Sequence, residues 1–148
     1  MIDYELIEAL AAAFRAYATS PLSTCEVHEW DQIGYEGAAG SVVIQPGDGS
    51  ERHMYIGDEG SLRDYCPLII YGYLPHADTQ TSRRNISLLR SQLCYVLRQN
   101  RTLTGGDSNA LCNSREPITW GYGQLSEGRA MRFCRVVVTY EIEPDAAT

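Results

Sequence analysis

The stretch Asp64–Asn85, DYCPLIIYGYLPHADTQTSRRN, decides how the chain is read. Its first half is apolar at nearly every position: Cys66, Leu68, Ile70 and Leu74 share one parity, and Tyr65, Ile69, Tyr71 and Tyr73 the other. Side chains alternate across a strand, so Asp64–Leu74 predicts a strand with two apolar faces, mid-sheet, covered on both sides by helices or by a partner subunit. The second half turns polar at Pro75, His76 and Asp78, and Arg83 and Arg84 then open a helix. The polar end is either an active-site loop or an assembly contact.

The helix it opens, SRRNISLLRSQLCYVLRQN, places Ile86, Leu89, Leu93, Val96 and Leu97 on one stripe, with Thr81 or Ser82 available as N-cap. At the start of the chain, Ile2, Leu6, Leu10, Phe14 and Tyr17 recur at helical spacing with acids in the first turn, predicting a helix ended by TSPL before Pro21. A short strand is expected around Glu26–Trp30, followed by a loop, DQIGYEGAAG. SVVIQ (Ser41–Gln45) and ERHMYI (Glu51–Ile56) flank PGDGS and predict a hairpin, closed by the turn GDEGS. Residues 101–117 are rich in Gly, Ser and Asn and read as a long loop. ITWGYGQL and MRFCRVVVTYEIE, joined by SEGRA, predict a second hairpin, and the tail 144–148 frays. The fold class is therefore α+β: a mainly antiparallel four- to six-stranded sheet with two principal helices packed on it, in one domain spanning 1–148. Two helices cannot cover every apolar strand face. The face bearing Tyr65, Tyr71 and Tyr73 is a candidate subunit contact, with an ordinary two-layer core as the alternative.

The chain of 148 residues carries a net charge of −7. Between Thr79 and Gly106 there is no acid, while Arg83, Arg84, Arg90, Arg98 and Arg101 give five positive charges, leaving twelve net negative charges on the rest. Nucleic-acid binding needs clustered positive charge, so sequence-specific recognition is not expected of this acidic body. All twelve basic residues are arginine, from genome composition or from a preference for planar, interface-forming cations. Arg83, Arg84, Arg90 and Arg98 fall within about a third of the helix circumference. The stripe is a solvated face, a site for carboxylates of a neighbouring subunit or another protein, or, third, a contact for DNA phosphates. No apolar run is long enough to span a membrane and no leader follows Met1, so synthesis in a cytoplasm is expected. Five cysteines, Cys25, Cys66, Cys94, Cys112 and Cys134, are odd in number and evenly spread, which suits reduced thiols.

Candidates for chemistry are sparse. Cys25-x-x-His28 is the closest local match to metal-ligand spacing, and no second pair completes it; His53, Cys66 and His76 could join only through the fold. Cys66 or Ser82 with His76 and Asp78 could form a nucleophile–base set, although His76-x-Asp78 reads more simply as a polar turn leaving a strand. Asp58 and Glu59 sit in an ordinary turn composition, and LTGGDSNA lacks the lysine of a phosphate loop. No catalytic residue, cofactor or metal is assigned.

The helix IEALAAAFRAY, the expected acidic-turn hairpin, the strand PLIIYGYL, DTQTSRRN opening the helix ISLLRSQLCYVL, and the closing strand RFCRVVVTYEI follow an order that resembles bacteriophage tail terminator proteins, also described as tail-completion or neck proteins. The likeness covers about residues 2–143 and lies in pattern, without a signature motif. It implies a non-enzymatic virion protein at the tail–neck junction. Such proteins form a homo-oligomeric ring, commonly a hexamer, at the head-proximal end of the tail tube. The implied partners are the tube protein below, the neck or connector protein above, and the sheath protein in a contractile tail, with DNA passing through the ring. Residues Asp48, Asp58 and Glu59, with the arginines and tyrosines named above, are then candidate contacts, as are the loops 45–51 and 101–117. A related head-completion ring protein is the nearest alternative. A small hydrolase or transferase using Cys66 or His76 is the reading from another class.

Overall fold

A computed structural model of the protein describes residues 1–30, 39–53, 62–75, 79–105, 108–112, 116–125 and 131–142. The elements run α1 (Asp3–Arg15), β1 (Glu26–Glu29), β2 (Ser41–Pro46), β3 (Ser50–His53), β4 (Leu62–Pro75), α2 (Thr79–Gln99), β5 (Thr102–Gly105), β6 (Ser108–Cys112), β7 (Thr119–Leu125) and β8 (Met131–Ile142). The expected α+β class is what the structure shows. Six strands lie in the order β1-β2-β4-β8-β6-β5, with β3 added to β4 and β7 added to β8. Every pairing is antiparallel except β1 with β2, so the sheet is mixed at one edge.

The centre is the β4–β8 ladder, in register from Asp64↔Ile142 to Pro75↔Met131. Directly paired residues share a face, so one side carries Leu68, Ile70, Leu74, Val136, Val138, Tyr140 and Ile142, all buried. The helices lie on this side. α1 packs against β5 and against β1 and β2, and α2 against β8 and β4. At 1.5 Å per residue α1 is roughly 20 Å long, close to the roughly 24 Å occupied by five interstrand spacings, so it crosses the sheet from one end of the strand order to the other. Of the expected stripes, Leu6, Leu10 and Phe14 on α1 and Ile86, Leu89, Leu93, Val96 and Leu97 on α2 are buried, whereas Ile2 and Tyr17 lie beyond the ends of α1, Ile2 exposed and Tyr17 half-buried. Gly72 permits the closest approach of helix and sheet, because a Cβ there would stand 2.7 Å from Leu89 Cδ2 and 3.0 Å from Cys134 Sγ.

Four local expectations are corrected. β2 and β3 do not pair with each other; both pair with β4, end to end along the same edge. Pro46 faces Leu68 and Ser50 faces Tyr65, so three residues, Gly47–Gly49, oppose two, Cys66 and Pro67. PGDGS is thus a bulge and not a turn, anchored where the Gly47 N–H donates to the Pro67 carbonyl at 2.7 Å. The stretch 101–117 contains the β5–β6 hairpin, because Leu103 and Ala110 bring alternate apolar side chains to the core. Helix α2 begins at Thr79, which puts Thr81 and Ser82 inside it instead of at the cap; the Ser82 hydroxyl accepts a hydrogen bond from Arg132 Nε at 2.8 Å. Helix α1 ends at Arg15, before TSPL, with Ala16 as C-cap. The β7–β8 hairpin has the expected pairing, with Leu125 opposite Met131. The calls on DQIGYEG, GDEGS, SEGRA and the tail 144–148 fall outside the described residues.

The connection from α1 to β1 is held by one buried polar side chain. Gln92 of α2 accepts from the Leu22 N–H at 3.0 Å and donates to the Ser20 carbonyl at 2.9 Å. Gln92→Leu leaves a buried N–H without its acceptor, and a loss of about 1–3 kcal/mol in stability is expected. Urea unfolding of the two proteins measures it, and unchanged midpoints would remove the clamp from the account.

Candidate functional site

The sheet has a second side, on which no helix packs among the described residues. It carries Tyr71 and Tyr73 of β4 and Phe133 and Arg135 of β8. Tyr71 and Tyr73 stack with ring centroids 6.0 Å apart, and Phe133 closes the cluster at 6.2 Å from Tyr71 and 5.9 Å from Tyr73. All three are half-buried. Phe133 also lies across Gly123 of β7, where a Cβ would come within 2.3 Å of the ring, so the glycine is required by the close approach. Tyr65 stands on the same side at the other end of β4 and is also half-buried.

The arginines of α2, and Arg101 just after it, divide. Arg90 lies 4.4 Å over the Trp120 ring and donates from Nε to the Tyr122 hydroxyl at 3.0 Å, which binds β7 to the helix layer. That hydrogen bond raises its pKa further. Arg83, Arg84, Arg98 and Arg101 are exposed, and none is ion-paired with a described acid. By contrast Arg15 of α1 is committed locally: it pairs with Glu29 at 2.8 Å and donates to the Val27 carbonyl at 2.8 Å.

Acids gather on the helix side at the beginning of β4, in the ladder where Arg63 also stands opposite Arg52. Glu51 of β3 lies directly opposite Asp64, with Asp3 of α1 close by, and a cavity of about 410 Å³ lies between these acids and Met1, Tyr65 and Cys66. Asp48, in the bulge next to β3, is exposed. The Asp64 carboxyl is pushed above its ordinary range by partial burial, by its hydrogen bond to Glu51 and by the like charges of Glu51 and Asp3, against the opposing pull of the N-terminal amine. Asp58 and Glu59 lie outside the described residues.

The catalytic alternatives do not converge among the described residues. Burial pushes the Cys66 thiol up to about 11, so it is protonated at neutral pH, the reverse of what a nucleophile requires. Ser82 sits beside Arg132, while Cys66 faces Tyr140, eight positions along β8 and roughly 27 Å away. His76 and Asp78 lie outside the described residues. Cys25, raised by burial to about 11, donates to the Pro21 carbonyl at 3.3 Å, and His28 faces Glu26 at 3.4 Å. Among the described residues no group of His, Cys, Asp and Glu is arranged to hold a metal, and no helix is long and apolar enough to cross a membrane. Neither a protein-family model nor a curated protein matches the chain.

Sequence reasoning did not find the acidic corner, because Asp3, Glu51 and Asp64 meet only through strand pairing. It also did not find the Arg90–Trp120–Tyr122 contact, although two aromatics at strand spacing were a usable sign. Because the Asp64 pKa is raised in the fold, its ionisation opposes folding: its contribution is most favourable below the ordinary carboxylate range and is lost as pH rises through the raised value. Asp64→Asn is therefore expected to melt higher than the parent at pH 7–8, with the difference closing as pH falls through the carboxylate range. A constant difference across thermal melts at several pH values would contradict the assignment.

Proposed function

We propose that this chain is a non-enzymatic structural protein of a phage tail, resembling the tail terminators, that assembles into a closed ring at the head-proximal end of the tail tube and presents surfaces to the tube and the neck. The observation that carries the reading is the side of the sheet that no described helix covers. Tyr71, Tyr73 and Phe133 form a contiguous aromatic surface on strands whose other side supplies the buried core through Leu68, Ile70, Leu74, Val136, Val138 and Tyr140. A surface of this kind is stable in water when small and gains most when another protein covers it. Exposed arginines of α2 that have no ionic partner among the described residues, and the acids Asp3, Glu51 and Asp64 on the helix side of the start of β4, add complementary charge for contacts between copies or with neighbouring rings.

Purified protein is expected to have a mass several times that of one chain by light scattering, and to show annular particles by negative-stain electron microscopy. A single-chain mass from micromolar to near-millimolar concentration, with no annular particles, overturns the reading.

A further inference from the structure

Among the described residues four strands, β1, β3, β5 and β7, keep an outer edge without a strand partner, and of these β3 and β7 lie at diagonal corners of the sheet. β7 pairs only with Met131–Val137 of β8, and β3 only with Leu62–Tyr65 of β4. The β1 edge differs, because Arg15 occupies the Val27 carbonyl that points away from β2. Among the described residues the β7 edge has no such block. Its residues, TWGYGQL, carry no charge; Trp120 and Tyr122 are 52% and 50% exposed, and a Cβ at Gly121 would meet open space. An uncharged, exposed edge strand is a template for another strand.

Strand direction and charge together indicate what occupies it. β8 runs antiparallel to β4 and β7 antiparallel to β8, so β7 runs with β4, whereas β3 runs against it. If two copies face the same way, β7 of the first and β3 of the second meet antiparallel, the commoner and slightly stronger pairing. On the helix side of β7 stand Arg90 and, two turns earlier on the same flank of α2, the exposed Arg83. On the helix side of β3 stand Glu51, Asp64 and Asp3. Opposite charges therefore fall on the same side of the joined sheet. Self-pairing of two β7 strands would instead bring Arg83 and Arg90 of both copies together.

We infer that the occupant of the β7 edge is β3 of a second copy of this chain, so that the sheet continues from subunit to subunit. The contact joins two different surfaces, the kind that closes into rings. This inference rests on the ring reading above and specifies its subunit contact.

The test uses the full chain, Arg83→Glu, Glu51→Arg and the double variant, with circular dichroism confirming that each is folded. Light scattering is expected to show each single variant needing at least about tenfold more protein for half-assembly, with the double variant restored. Hydrogen exchange on the parent is expected to show the amides of 119–125 and 50–53 slowed on assembly. If the parent assembles while both single variants assemble equally well and those amides stay unprotected, the contact is overturned and the ring reading stands. If the parent does not assemble at any concentration, the ring reading fails and the contact with it.

Discussion

The twelve-pair ladder between β4 and β8 is the constraint on which the other parts of the molecule depend. Its register puts Leu68, Ile70, Val136, Val138 and Tyr140 on one side and Tyr71, Tyr73, Phe133 and Arg135 on the other. A slip of one residue would exchange the two sets, sending the core aliphatics to the open side. Both helices, the two edge additions β3 and β7, and the aromatic cluster take their positions from that single alignment. Gly72, within the ladder opposite Cys134, lets α2 sit close enough for Leu89 to reach the sheet.

From this frame follows an unequal distribution of finished and unfinished surface. The helix side is closed by a continuous apolar core. The opposite side keeps half-exposed aromatics, and the two diagonal corners keep strand edges without local partners among the described residues. Those corners differ in charge for a simple reason. The bulge at Gly47–Gly49 carries the chain past the end of β2 and lets β3 reach Tyr65 and Asp64, which sets Glu51 against Asp64 near Asp3. The other corner receives arginines because α2 runs beside β8 and β7. The like-charge pair of Glu51 and Asp64 weakens the isolated fold, and a neighbouring cation would relieve it.

The amphipathic stripes of α1 and α2, the two-faced strand in the middle of the sheet and the closing β7–β8 hairpin were all legible in the amino-acid order. Each depends on a short-range period of apolar side chains, 3.6 for a helix and 2 for a strand, that few other arrangements satisfy. The partnership of β2 and β3 was not. Gly-Asp-Gly serves a turn or a bulge equally well, and only the competing pairing with the long apolar β4 selects the bulge. The β5–β6 hairpin was hidden for a related reason: its strands are short and polar, with Leu103 and Ala110 as their main core contributions.

For the candidate surfaces the same division holds. The acid-free run of arginines and the tyrosine parity of β4 are properties of a local segment and can be read from it. That Arg90 is committed to Trp120 and Tyr122 while Arg83 and Arg84 remain exposed, and that Asp3, Glu51 and Asp64 share a corner, depends on which strands lie side by side. Local period specifies each element and its buried face, because burial of alternating apolar groups acts within a few residues. Placement of charge relative to an open edge is set by long-range register, and that exists only once the β4–β8 ladder has formed.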